Sequence, residues 1–397
     1  MSDAPQIRSV DEINAKIRSG DCVVVTAEEM IDIVAQEGVK GAAKRVDVVT
    51  TGTFGTMCSS GAFINFGHSN PKIKAAKTWL NGVEAYSGIA AVDCYVGATQ
   101  VRDGDPLNAV HPGRFEYGGG HVIEDLVAGK KVRLKATAYG TDCYPSQEHS
   151  AEMSLSDMRD AVLMNPRNAY QNYNCAVNLS DSTIYTYMGI LRPKMANATF
   201  SSAGALSPLM NDPYYLTMGP GVRIFLGGGT GVIGWSGTQH APLAPRNERG
   251  IPKGGAGTLM VTGDLKGMNP RYLRGAALPG YGTSLMVGLG VPIPILTEEI
   301  AWHTSVSNHD ITCPVVDYGH DYPNAIDNPL AHVSYADLYS GKVTVKGEEI
   351  PTSPLSSLPR AREIAATLKQ WVAEGRFELG EAQMPMPTAP ERAKVPQ

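Results

Sequence analysis

Residues 46–70 limit what this chain can fold into more than any other stretch. An apolar run, Val46-Asp47-Val48-Val49, leads into T-T-G-T-F-G-T-M-C-S-S-G-A-F-I-N-F-G-H-S-N, where Gly52, Gly55, Gly61 and Gly67 stand among hydroxyl residues around one thiol, Cys58. A buried strand that opens into glycine-rich backbone brings bare N–H groups close to whatever occupies the space. A thiol held there can act as a nucleophile beside an anion cradle. It can equally be a small buried residue in a tight turn, since free cysteine is among the most buried residue types.

The segment before it reads as a strand–helix–strand unit. Ser9-Val-Asp-Glu12 is a capping box for a short amphipathic helix closed by Gly20. Cys22-Val-Val-Val25 reads as a strand. Thr26-Ala-Glu-Glu29 caps a second helix, with Met30, Ile33 and Val34 inward and a stop at Gly38. A strand over residues 46–50 follows, and parallel pairing of the two strands is the default. Ligands in open α/β sheets sit beyond the carboxyl ends of strands. The Cys58 loop begins at such an end.

Glycine (43) and proline (27) make up 70 of 397 residues, above the usual ~12%. That argues for a compact, turn-rich body. A net charge of −5 without a Lys/Arg block argues against a nucleic-acid partner. The start M-S-D-A-P-Q-I-R has no apolar core of a leader, and no apolar run reaches the ~18 residues of a membrane span. A cytoplasmic protein with reduced thiols is expected.

Further along, Trp79-Leu-Asn-Gly-Val83 is a hairpin signal. Residues 121–129 read as a helix. Residues 131–139 alternate as a strand and end in Gly140-Thr141-Asp142-Cys143-Tyr144-Pro145. Gly227-Gly-Gly-Thr-Gly-Val-Ile-Gly234 resembles a phosphate loop but lacks the Lys-Ser/Thr ending. Residues 358–374 form an amphipathic helix, and a Pro-rich, loose tail follows from residue 383. The expected fold is α/β: a glycine-rich mixed-sheet body over residues 1–355 with strand-end loops forming the site. A C-terminal helix and tail over residues 356–397 complete it.

Of six cysteines, Cys22, Cys94 and Cys175 lie in apolar strand-like runs and read as core; Cys313, before Pro314, is left open. Cys58 and Cys143 stand in glycine- and hydroxyl-rich loops at strand ends. Gly52, Gly55, Ser59, Ser60 and Gly61 around the first, and Thr141 beside the second, are candidate substrate or oxyanion contacts. His68 is a candidate acid/base, though a cap or loop role fits it as well. Arg223, Arg246, Arg271 and Arg274 are candidates for a substrate carboxylate, and Asp264 or Asp317 for an amine. The histidines show no metal-ligand spacing, so no metal site is expected.

The motifs T-T-G-T-F-G-T-M-C-S-S-G-A-F-I-N-F-G-H, W-L-N-G-V-E-A-Y, A-A-V-D-C-Y-V-G-A-T, G-G-G-H-V-I-E-D-L-V-A-G and Y-G-T-D-C-Y-P resemble the homocysteine biosynthesis family. This is a former domain-of-unknown-function family of methanogens and sulfate-reducing or other anaerobic bacteria. The resemblance covers residues 23–352. It implies L-aspartate semialdehyde sulfurtransferase activity, in which sulfide sulfur enters the aldehyde carbon to give homocysteine. It places the two functional cysteines on Cys58 and Cys143. The expected scheme is a persulfide on Cys143 released by disulfide formation with Cys58, the order of the two roles being left open, with both loops facing one pocket. The resemblance also implies no cofactor in this chain and electrons from a separate ferredoxin-like iron–sulfur protein. The CBS pair of some relatives is not expected within this length, and a homo-oligomer is compatible. Two other classes stay open: a CoA- or nucleotide-dependent transferase using residues 227–234, and a non-catalytic sulfur carrier.

Overall fold

The structure, a computed structural model, describes residues 7–320 and 322–395; residues 1–6, on which the leader reading rests in part, lie outside it. The chain is an α/β protein of several sheets with a helix near its C-terminal end.

The opening unit forms where local chemistry places it. Ser9 N donates to Glu12 Oε2 (2.6 Å) and Glu12 N to Ser9 Oγ (3.2 Å), which starts helix Val10–Ser19. Gly20, at φ 82°, ends it. Thr26 and Glu29 repeat the reciprocal cap for helix Ala27–Arg45. Gly38 breaks that helix at φ 72°, as read from the sequence, but helical backbone resumes and runs to Arg45. Strands Val24–Thr26 and Val48–Thr50 pair in parallel, with Val24 opposite Val48.

Parallel pairing does not extend into the main body, a nine-stranded sheet. Its path runs through Leu273–Leu278, Gly282–Gly290, Arg223–Leu226, Gly229–Ser236, Leu259–Asp264, Asp160–Asn168, Gly61–Asn65 and Asp93–Gly97. Thr53–Thr56 adds to Gly282–Gly290, and every pairing is antiparallel. At two places short turns enforce this, because a tight connection can join only antiparallel neighbours: after Arg223–Leu226 and after Leu273–Leu278. Gly227 (φ 59°) and Gly228 (φ 94°) make one of them. Residues 227–234 are therefore a hairpin turn and a strand, and the phosphate-loop resemblance does not hold: no helix N-terminus follows to receive a phosphate.

A second, six-stranded sheet runs Ala331–Ser334, Thr312–Asp317, Cys175–Val177, Ala198–Phe200, Glu348–Pro354, Lys342–Val345. It has its own core of Val177, Phe200, Val315 and Tyr335. A separate four-stranded sheet, Val83–Ala85, Lys77–Leu80, Val132–Thr137, Glu148–Met153, packs into the core of the nine-stranded one. Its first turn is the expected Asn81-Gly82 pair, both at positive φ (52° and 79°).

The helix Leu358–Ala373 is packed into the body. Ile364, Leu368 and Val372 are fully buried with Val48 and Phe225, each contributing about 1.5–3 kcal/mol. Thr50 Oγ1 donates to Ala365 O (2.9 Å). The tail is not loose either, because its polar groups find partners along the body. Gln383 N donates to Pro220 O (2.8 Å), His240 Nε2 to Pro387 O (2.9 Å) and Ala393 N to the Tyr214 hydroxyl (2.9 Å).

Candidate active site

Cys58 sits in the turn between strands Thr53–Thr56 and Gly61–Asn65. Two backbone bonds shape that turn: Met57 N donates to Leu285 O (2.8 Å) and Ser60 N to Met57 O (3.0 Å). Buried Asn165 braces it from the neighbouring strand. Its Nδ2 donates to Ser60 Oγ (2.8 Å), while the Ser59 hydroxyl reaches Asn165 Oδ1 and Arg167 O, each at 3.2 Å. The Ser284 hydroxyl donates to Cys58 Sγ at 3.2 Å. Among the described residues, the Cys58 and Ser59 N–H groups have no acceptor.

The thiol faces a cavity of about 310 Å³ at the seam between the two large sheets. Thr53, Thr56, Cys58 and Tyr281 come from the nine-stranded side. Ser201, Ser202, Tyr322 and Leu355 come from segments flanking six-stranded-sheet strands, and Tyr187 from the small Ile184–Thr186/Gly189–Leu191 hairpin. Tyr170, Tyr173 and Gln239 complete much of the wall, and Arg167 is the one charged side chain in it among the described residues.

Of the expected loop contacts, only Cys58 and Ser59 line this cavity. Ser60 is buried as a brace. The glycines serve close packing, not an open cradle. A Cβ on Gly52 would stand 2.2 Å from Ala361 O, on Gly55 2.7 Å from Ser356 Oγ, and on Gly61 2.2 Å from the Tyr95 hydroxyl. Gly52 also spends its N–H on Leu206 O (2.9 Å). The free donors are the two N–H groups at the turn itself.

Cys143 is elsewhere. It is exposed, on the loop between Val132–Thr137 and Glu148–Met153, where Thr141 N donates to Tyr144 O (2.9 Å) and the Thr141 hydroxyl lies 3.6 Å from Cys143 Sγ. That loop packs on the segment after Gly61–Asn65. Ser146 N donates to Lys72 O (3.2 Å), and the His68 and Tyr144 rings lie 5.7 Å apart. Cys58 precedes Gly61–Asn65 and His68 follows it, and five extended residues span about 16 Å. The expectation that Cys58 and Cys143 share a pocket is therefore not met. His68 keeps company with the Cys143 loop, not with Cys58.

The other thiols are removed from chemistry. Burial pushes Cys94 and Cys175 up to about 12 and Cys313 well above its ordinary value; burial, then the Asp47 charge, pushes Cys22 up to about 12. The arginines and acids singled out for substrate are also absent from the cavity wall. Arg271 pairs with Glu363, Arg274 with Glu124 (3.2 Å), Arg246 bonds Gly250 O (2.8 Å), and Arg223 lies over Phe377. Asp264 caps Lys266 N (2.9 Å), and Asp317 holds Leu179 N (2.9 Å). Arg167, Ser284 and the tyrosines were not singled out, since no local motif marks them. Among the described residues, no three metal-ligating side chains converge, and no helix is long and apolar enough to cross a membrane.

A small cavity of mixed polar and apolar lining, with a half-buried thiol on its wall and unpaired N–H donors at that thiol, has the parts a group-transfer enzyme needs. Residues 22–379 match the family model described as homocysteine biosynthesis enzyme, sulfur-incorporation, and the chain belongs to that family. It is 51% identical over 371 residues to the L-aspartate semialdehyde sulfurtransferase of Methanosarcina acetivorans, covering 93% of this chain and 70% of the relative. It is 49% identical over 389 residues to the protein of the same name from Methanocaldococcus jannaschii, covering 94% and 72%. An uncharacterized protein of Methanothermobacter thermautotrophicus is 30% identical over 346 residues, covering 85% and 73%. No solved structure matches.

Proposed function

We propose that this protein is an L-aspartate semialdehyde sulfurtransferase that makes homocysteine from sulfide, with Cys58 carrying the sulfur. The observation behind this is the Cys58 thiol, set on the wall of a cavity with a hydroxyl donor and two unpaired N–H groups, in a family of sulfur-incorporating enzymes.

The chemistry balances as follows. Sulfide attacks a disulfide that joins Cys58 to a second thiol. The S–S bond breaks, Cys58 keeps the new sulfur as a persulfide, and the second thiol leaves as thiolate. The terminal sulfur adds to the aldehyde carbon, and the Cys58 and Ser59 N–H groups steady the oxyanion until it takes a proton. The second thiolate then attacks Cys58 Sγ, restores the disulfide and expels the product sulfur on its carbon. Loss of water gives a thioaldehyde, and two electrons with two protons reduce it to the thiol. The net reaction consumes aldehyde, hydrogen sulfide, two electrons and two protons, and yields homocysteine and water. The electrons come from a separate ferredoxin-like iron–sulfur protein, as the family resemblance implies, and the setting is cytoplasmic.

Cys143 supplies the second thiol from another copy of the chain. Its exposure on an edge hairpin, away from its own chain's cavity, supports this assignment. Anaerobic incubation with sulfide, L-aspartate semialdehyde and a low-potential reductant tests the whole reading, with homocysteine as the readout. Cys58→Ser is expected to abolish product, and a wild-type rate in that variant sinks the proposal. A protein that gains one sulfur by mass yet makes no homocysteine with reductant present is a sulfur carrier instead.

A further inference from the structure

Two features of the cavity wall are not used by the sulfur step. The first is Arg167. Its backbone is fixed, with N donating to Asn165 Oδ1 (2.9 Å) and O accepting from the Ser59 hydroxyl. Its guanidinium has no hydrogen-bond or carboxylate partner among the described residues and stands 5.9 Å from the Tyr170 ring centre. Among the described residues, no acidic side chain lines the cavity. A planar cation left unpaired in such a wall suits a carboxylate, which it can meet with two parallel bonds.

The second feature is a proton count among tyrosines. The Tyr318 hydroxyl donates to Asn174 Oδ1 (2.9 Å), an atom that can only accept. At the Tyr187–Tyr318 contact (2.9 Å) the proton must therefore come from Tyr187. Tyr187 has then spent its one proton. Its contacts with Tyr173 (2.7 Å) and Tyr322 must be filled by protons from those two residues. Burial pushes Tyr173 up to about 12 and Tyr187 and Tyr318 higher, so these three keep their protons at neutral pH. Tyr173 and Tyr322 both line the cavity. With their protons committed to Tyr187, what they can offer a ligand is lone pairs and ring faces. Those are acceptors for an ammonium group.

We propose that Arg167 and the Tyr173 and Tyr322 hydroxyl oxygens hold the head group of an α-amino acid, carboxylate on the arginine and ammonium on the phenols, leaving the side-chain end for Cys58. This rests on the sulfurtransferase reading for the identity of the side chain, and names the contacts by which that substrate is told from a plain aldehyde.

The test is calorimetric binding to the full chain, which needs no turnover. The probes are L-homoserine, 4-hydroxybutyrate (no amine) and 3-amino-1-propanol (no carboxylate). Wild type is expected to bind L-homoserine on the order of 10- to 100-fold tighter than either truncated probe, the worth of a hydrogen bond to a charged group. Arg167→Gln should lose that factor for L-homoserine and bind 3-amino-1-propanol as wild type does, with Arg167→Lys recovering part of it. Tyr173→Phe/Tyr322→Phe should lose the preference for L-homoserine over 4-hydroxybutyrate while keeping the preference over 3-amino-1-propanol. Equal binding of all three probes by wild type, no binding of L-homoserine, or full L-homoserine affinity in Arg167→Gln overturns the proposal. So does an active Arg167→Gln enzyme whose KM rises for sulfide and not for the semialdehyde. A wild-type chain that binds L-homoserine in this pattern but forms no homocysteine overturns the sulfurtransferase reading and leaves the head-group site standing.

Discussion

The Ser284 hydroxyl donates to the Cys58 sulfur across 3.2 Å, from a strand 226 residues further along the chain. The contact places a hydroxyl donor on the thiol that faces the cavity, tying that sulfur to the strand Gly282–Gly290.

Ser284→Ala should slow homocysteine formation and the alkylation of Cys58 by iodoacetamide at fixed pH. A hydrogen bond of this kind contributes about 0.5–1.5 kcal/mol, or roughly 2- to 10-fold in rate. Ser284→Thr, which keeps the hydroxyl, should recover part of both. Unchanged alkylation in the alanine variant would show that the donor does not act on the sulfur.

Cys58→Ser and Cys143→Ser should each be inactive alone yet regain activity when co-expressed or mixed under conditions that exchange subunits. In a pair of mixed chains, one cavity has Cys58 from one copy and Cys143 from the other. Persistent inactivity of the mixture, with exchange verified by mass, removes the assignment of Cys143 to a second copy. Limited maleimide labelling gives an independent check: exposed Cys143 should react before Cys58.

Two glycine variants separate packing from chemistry. Gly52→Ala would push a methyl to 2.2 Å from the Ala361 carbonyl oxygen, and Gly61→Ala to 2.2 Å from the Tyr95 hydroxyl. Both should lower the midpoint of thermal unfolding, at a cost of about 1–3 kcal/mol. Gly52→Ala is expected to cost more, because a helix backbone cannot step aside as a tyrosine ring can. Equal midpoints for wild type and Gly52→Ala would contradict the close approach of that helix.

His303 makes stability depend on pH. It is almost fully buried, and burial, followed by the charges of Arg249, Arg392 and Arg246, pushes it down to about 3. In the unfolded chain the ring takes up a proton near pH 6.5, while the folded protein resists it. Stability from this group is complete above about pH 6.5 and falls as pH drops from there toward 3. The loss between pH 7 and pH 5 should be about 2 kcal/mol. Chemical denaturation at the two pH values should show a smaller difference in His303→Asn than in wild type. An equal difference in both would mean that the ring is not held neutral.

Local chemistry was legible in the sequence. The two capping boxes and the Asn81-Gly82 turn depend on residues a few positions apart and formed as read; the strand–helix–strand opening formed too, with its helix running past the expected stop at Gly38 to Arg45. The thiol turn was legible too, because glycine and hydroxyl residues crowd around Cys58 in one stretch. What the glycines do was not, since their neighbours, Ala361 and Ser356, lie about 300 residues away. Arg167 and the tyrosine cluster escaped for the same reason. Ser59 meets Arg167 across 108 positions, and Tyr187 meets Tyr318 across 131. No periodicity or spacing rule spans such gaps. The pairing of the Cys58 and Cys143 loops failed on topology: similar strand-end loops belong here to different sheets.

The long reach of the Cys58–Ser284 contact also sets a timetable. At about 5–20 residues per second, a ribosome needs on the order of 10–45 s to make the 226 residues between them. For most of that interval the nascent thiol is out of the exit tunnel without its donor, and the strand beside it, Thr53–Thr56, waits for its partner Gly282–Gly290. The cavity thiol is thus made early and gains its donor late, so oxidants reach it more easily during synthesis than in the finished protein.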